Sequence, residues 1–407
     1  MRRTWSRIAG VGVAFALLGA ACTNTPSDGG TPAPSSPAPV EVTTNTAAAG
    51  LRSDLNRLLQ EHVYLAAIAS NEALNGQAPV FEAAAAALDA NSDDIIGLFG
   101  SVYPDAEATF NDAWKGHIGF VVDYVTGLAT DDQAKADQAV ADLQGYWESF
   151  GTFLSDTVEG LPDGEAVAGL VMEHVLTLKA VIDAQAGGQT AEAFTALREA
   201  AGHMHMIGDP LSSAIAGDNG LEGDSSSPAA GLRSNLNLLL QEHVYLAASA
   251  ANAALSGRSA EFEAAAAALD GNSDDIIGTF GSVYPDAEAT FNDAWKGHIG
   301  FVVDYVTGLA THDQAMADAA VTDLQGYWES FGTFLADTIP TLPGAGAVSG
   351  LVMEHVVTLK TVIDAVAGGD AGAAFTGLRA AAGHMHMLGD PLAEAIVSDD
   401  PEAFSGR

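Results

Sequence analysis

The 407-residue chain contains itself twice. Residues 51–216 return as 232–397 at a constant offset of 181, with no insertion or deletion, and 129 of the 166 positions are identical. Whatever one half folds into, the other must fold into as well. A whole domain copied once differs from a solenoid whose short units need each other. The expectation is therefore two helical-bundle domains, at residues 50–216 and 232–397. Residues 217–231, rich in Gly, Asp and Ser, read as the linker between them, and 398–407 as a tail.

A weaker repeat lies inside each half. Aligning His62, His117 and His174, spaced by 55 and 57 residues, places a break about fourteen residues after each: Asn75-Gly76, Thr130-Asp131 and Gly187-Gly188. An alanine-rich run follows every break. Alanine favours helix, and proline is kept to segment ends such as Pro104, Pro162 and Pro210. No alternating strand pattern persists. The chain reads as all-α, each copy holding about six helices arranged as three αα-hairpins. Asp209 and Pro210 look like the cap and first residue of a short terminal helix.

The stripe Leu51, Leu55, Leu58, Leu59, His62, Ala66 has helical spacing, so His62 faces a core. The same argument buries His117 and His174, and in the second copy His243, His298 and His355. A single buried histidine is usually a hydrogen-bonded core residue. On that reading His62, His117, His243 and His298 serve stability, or a second and weaker site.

The third hairpin carries different chemistry. Apart from the initiator there are seven methionines. Met172 and Met353 stand two residues before a histidine, and Met204, Met206, Met385 and Met387 alternate with histidines; Met316 is alone. Folding the hairpin about Gly187-Gly188 brings Met172 and His174 alongside His203, Met204, His205 and Met206. In the second copy the set is Met353, His355, His384, Met385, His386 and Met387. Thioether with imidazole suits a soft or borderline ion, above all reduced copper. The bland counterpart is a methionine packing layer. His312 replaces Asp131 at a turn and is expected in solvent.

Fifteen Lys and Arg against fifty-three Asp and Glu give a net charge of −38, which excludes nucleic acid as a partner and attracts cations. Arg2, Arg3 and Arg7 precede the apolar run 8–21, too short to span a bilayer comfortably, so residues 1–21 read as an export signal. Cys22, the only cysteine, follows directly. Residues 22–49, rich in Thr, Ser, Pro and Ala, form a tether reaching roughly 80 Å at ~3.1 Å per residue. No phosphate loop, nucleophile elbow or zinc-type cysteine array is present.

The segment around Leu17-Leu18-Gly19-Ala20-Ala21-Cys22 resembles a bacterial lipoprotein cleavage site, which implies lipidation of Cys22 and attachment to the outer face of the cell membrane. Gly19 stands where that family usually has leucine, which leaves ordinary cleavage and secretion as the alternative. The His203-Met204-His205-Met206 run, with Met172 and His174, resembles bacterial extracytoplasmic helical proteins that bind copper through His and Met. The resemblance covers these motifs only and implies copper binding, buffering or delivery rather than turnover. Histidines on several helices are also similar to hemerythrin- and ferritin-like di-iron bundles, but the bridging Glu-x-x-His or His-x-x-x-Glu spacing is missing. Iron is thus the alternative metal, and a metal-free surface scaffold the alternative class.

Overall fold

The computed structural model describes residues 42–406, and the signal, Cys22 and most of the tether lie outside them. Among the described residues there are thirteen helices and no strand. The first copy comprises α1 (Ala47–Leu74), α2 (Ala78–Val102), α3 (Glu107–Ala129), α4 (Gln133–Thr157), α5 (Gly164–Ala186) and α6 (Thr190–Asp218). The second comprises α7 (Pro228–Leu255), α8 (Ser259–Val283), α9 (Glu288–Ala310), α10 (Gln314–Thr338), α11 (Ala345–Ala367), α12 (Ala371–His384) and α13 (His386–Asp399). Successive helices pack in pairs, giving the three hairpins per copy.

Local chemistry explains the boundaries. Side-chain oxygens of Thr46, Asp132, Asp163 and Ser227 accept a hydrogen bond from a first-turn backbone N–H, at Ala49, Lys135, Ala166 and Ala230. The hairpin tips need left-handed backbone. Gly76 and Gly188 supply it with φ of 69° and 67°, while the middle hairpins use Asp131 at 53° and His312 at 56°. His312 is exposed at that tip, where the sequence puts it.

Two boundaries differ from the sequence reading. Pro210 lies inside α6, which runs unbroken to Asp218, so Asp209 is no cap. Its carboxylate instead takes two hydrogen bonds from Arg52, at 2.7 and 2.6 Å, and one from Asn56 at 2.7 Å. That clamp ties α6 to α1 across the point where proline removes a helical hydrogen bond. In the second copy the helix breaks at Met385, six residues ahead of Pro391. The tether also ends earlier than expected. Thr44 is buried, and its N–H and hydroxyl both donate to Glu394 of α13 at 2.7 Å.

The copies share one continuous core, with α1 packed on α7, α6 on α8 and α12 on α2. Their contact is two-fold in character. Arg52 of the first copy donates to the Ser225 carbonyl ahead of the second, and Arg233 of the second donates to the Thr44 carbonyl ahead of the first. Asn56 donates to Ser234, and Asn237 to Ser53. Arg198 pairs with Glu242 and Asp275, and Arg379 with Glu61 and Asp94. Glu61, Glu72 and Glu242 are each buried against the other copy.

Candidate metal centre

Helices α1, α3 and α5, the leading helices of the three hairpins, each touch the other two. Each directs one histidine to their common axis. His62, His117 and His174 are all buried, and one ring nitrogen from each lies within 4.8 Å of the others. His62 and His117 approach most closely, Nε2 to Nε2 at 3.4 Å. The second copy repeats the cluster with His243, His298 and His355. Ring-centroid separations agree between copies: 5.4, 5.8 and 6.5 Å in the first, 5.4, 5.7 and 6.5 Å in the second.

The surroundings are aromatic and uncharged. Tyr146 stacks on His117 at 4.7 Å, and Trp114 sits 5.0 Å from both His62 and His117. Phe110 and Phe150 close that side. The acids nearest in sequence are turned away: Glu61 accepts hydrogen bonds from Asn91, Tyr245 and Arg379.

This environment sets the protonation state. Burial pushes the His117 pKa down to about 4, against a smaller opposing pull from the Trp114 and Ala113 backbone. Burial, with His117 and His203 nearby, takes His174 to about 3. His62 is lowered well below its ordinary value by burial and then by the two other rings. His243 behaves in the same way, and His298 and His355 fall to about 3 and about 4, burial leading in each. All six rings are therefore neutral at pH 7, with a lone pair available. The Nδ1 atoms of His62, His174, His243 and His355, and Nε1 of Trp114 and Trp295, have no hydrogen-bond partner among the described residues. A buried polar atom left so costs about 1–3 kcal/mol. A neutral imidazole nitrogen with its lone pair free can ligate a cation, and His62 and His117 turn Nε2 toward each other.

The geometry fits one. Imidazole nitrogens at 2.0–2.1 Å from a shared ion are about 3.3–3.6 Å apart. The His62–His117 pair is already at that spacing, and His174 offers a nitrogen within 4.8 Å of both.

The His/Met set of the third hairpin does not occupy one environment. Met204 is 1% exposed and lines a cavity of about 40 Å³ with His174. Met172 and Met206 are 37% and 49% exposed. His203 approaches the Leu170 carbonyl through Nε2 at 3.3 Å, so it meets α5 at Leu170. Met172 lies two residues on, about 200° round the helix from there. His205 is exposed and turns Nδ1 to the Gly202 carbonyl of its own helix. In the second copy Met385 is buried, Met353 and Met387 are exposed, His384 is half-buried near the Leu351 carbonyl, and His386 bonds Gly383. The structure thus gathers His174 with His62 and His117, which sequence reading kept apart from it, and of the third hairpin's set keeps Met204 and His203 near His174. The 55- and 57-residue spacing was the signal that joins the three. No family model, curated protein or solved structure matches the chain.

Proposed function

We propose that the protein binds metal, one ion in each three-histidine cluster, and that reduced copper is the ion held. The observation that carries this is the convergence of three buried, neutral imidazoles, from three different helices, in both copies. The cost of burying charge rises steeply with its magnitude. A donor set with no carboxylate suits a monovalent ion better than a divalent one, and imidazole with a neighbouring thioether at Met204 suits reduced copper. A surface with net charge −38 concentrates cations around the protein. The all-histidine composition of both clusters speaks against a carboxylate-bridged di-iron centre. Arg2, Arg3, Arg7, the apolar run 8–21 and Cys22 support an exported, lipid-anchored protein that buffers or delivers the metal.

The test is metal content and titration on protein purified without a histidine tag. Reduced copper added under anaerobic conditions should saturate at two equivalents per chain. Changing His117 and His298 together to Ala should abolish both sites while leaving the helical circular-dichroism signal intact. Wild-type protein that takes up no copper, and none of zinc or iron, would establish the metal-free scaffold instead.

A further inference from the structure

Two cavities lie along the seam between the copies, and the duplication relates one to the other. Their volumes are about 110 Å³ and about 410 Å³. Adding 181 to Ala193, Phe194 and Leu197, which line the smaller, gives Ala374, Phe375 and Leu378, which line the larger. Ile68 and Ser249, an equivalent pair, line both.

What fills them differs. On the smaller side Arg258 donates to both carboxylate oxygens of Glu72, at 3.0 and 2.9 Å, and lies 3.1 Å from Glu261. Asn252 and Asn71 donate to the same two acids, and Gln185 donates to the Ala67 carbonyl. The residues equivalent to Glu72, Arg258, Glu261 and Gln185 on the larger side are Ala253, Gln77, Val80 and Val366. In a duplication that keeps 129 of 166 positions, four of the plug's six polar residues are missing at one of two equivalent places, and only the Asn71–Asn252 pair is kept.

We infer that the larger cavity is a binding site for a small, uncharged, mainly apolar molecule bearing one hydrogen-bonding group. Its volume falls within the range of ligand pockets, about 300–1,000 Å³, and the smaller one does not. Val80, Val362, Val366, Leu255 and Phe375 make the walls. Ser249 and Asn252 offer hydroxyl and amide groups, and exposed His312 stands at the rim. No Lys, Arg, Asp or Glu lines the cavity, so nothing there compensates an organic ion. None of the six cluster histidines lines it either, so this site is independent of the metal reading.

The neutral fluorophore 1-aminoanthracene is the probe. Titrated into the full chain, it should bind at one site, with fluorescence enhancement. Transplanting the plug (Gln77→Arg, Val80→Glu, Ala253→Glu and Val366→Gln) should weaken binding at least tenfold. Because four changes at a packed seam put folding at risk, Ala371→Phe is the second variant. It sets a ring into the cavity from a half-buried position at the start of α12, and should weaken the probe by the same order. The reverse set, Glu72→Ala, Arg258→Gln, Glu261→Val and Gln185→Val, should raise the stoichiometry to two. Wild-type protein that does not bind the probe, or binds it no better than folded Ala371→Phe, overturns the assignment.

Discussion

Tyr64 and Tyr245 stack face to face across the junction of the two copies, 5.0 Å apart and 7° from parallel. Each hydroxyl donates to an acid of the opposite copy, Tyr64 to Glu242 at 2.8 Å and Tyr245 to Glu61 at 3.1 Å. Burial first, and the neighbouring carboxylate second, hold both phenols well above their ordinary pKa, so they stay donors at any physiological pH. The acids are in turn held by Arg198 and Arg379.

This arrangement makes Arg379 a stability determinant of the first copy although it belongs to the second. Arg379→Ala leaves the buried Glu61 carboxylate with only the neutral donors Asn91 and Tyr245. The expected loss is about 3 kcal/mol, read as a shift in the urea midpoint. Lysine should not rescue it, since one ammonium cannot replace the fork that reaches Glu61 and Asp94 together. A change under ~0.5 kcal/mol would mean the junction contributes no specific stability.

The histidine clusters make the metal-free protein acid-sensitive in a defined window. An unfolded imidazole takes its proton near pH 6.5, whereas the folded chain keeps His117 and His355 neutral to about 4, and His174 and His298 to about 3. Lowered pKa values mean the unfolded state binds more protons. Stability is therefore complete above pH 6.5 and declines as pH falls, by about 1.4 kcal/mol per unit for each histidine. Between pH 6.5 and 5 most carboxylates remain ionised in both states, so the effect is separable. A urea midpoint flat across that interval would contradict it.

Methionine loss should divide by burial. Met204→Leu with Met385→Leu keeps volume and should cost under ~1.5 kcal/mol of stability. It should nevertheless weaken reduced copper in competition with a copper(I) chelator, and leave zinc unchanged. Met172→Leu with Met206→Leu, both exposed, should change neither. The opposite pattern would return the site to the third hairpin.

Gly208 of α6 faces the Asn56 and Leu59 side chains of α1. A methyl group there would run into the Asn56 side chain, which is itself fixed by Asp209 and Ser234. Gly208→Ala should destabilise by about 1–3 kcal/mol despite its better helix propensity, measured by thermal or urea unfolding. A stabilised variant would show that the clamp is loose.

The hairpins were legible because Asn75-Gly76, Thr130-Asp131 and Gly187-Gly188 interrupt otherwise continuous helical stripes. Burial of His62, His117 and His174 was legible for the same reason. Their convergence was not, since a stripe tells which side of a helix is inside but not which helices are neighbours. Which of His203, Met204, His205 and Met206 turn inward was not legible from their run alone, because adjacent helical positions point about 100° apart. Glu61 and Glu72 could not be placed because the arginines that bury them, Arg379 and Arg258, lie 318 and 186 residues away.

Thr44, bonded to Glu394 and to Arg233, places the first described turn of the chain against its last helix and against the second copy. Tension arriving from upstream of residue 42 is thus delivered into the far half of the molecule instead of peeling α1 from its own bundle. The two halves share the load through that clasp and the Arg52–Ser225 contact that mirrors it. Held by its N-terminus in a single-molecule pulling experiment, the protein should rupture in one step, not two.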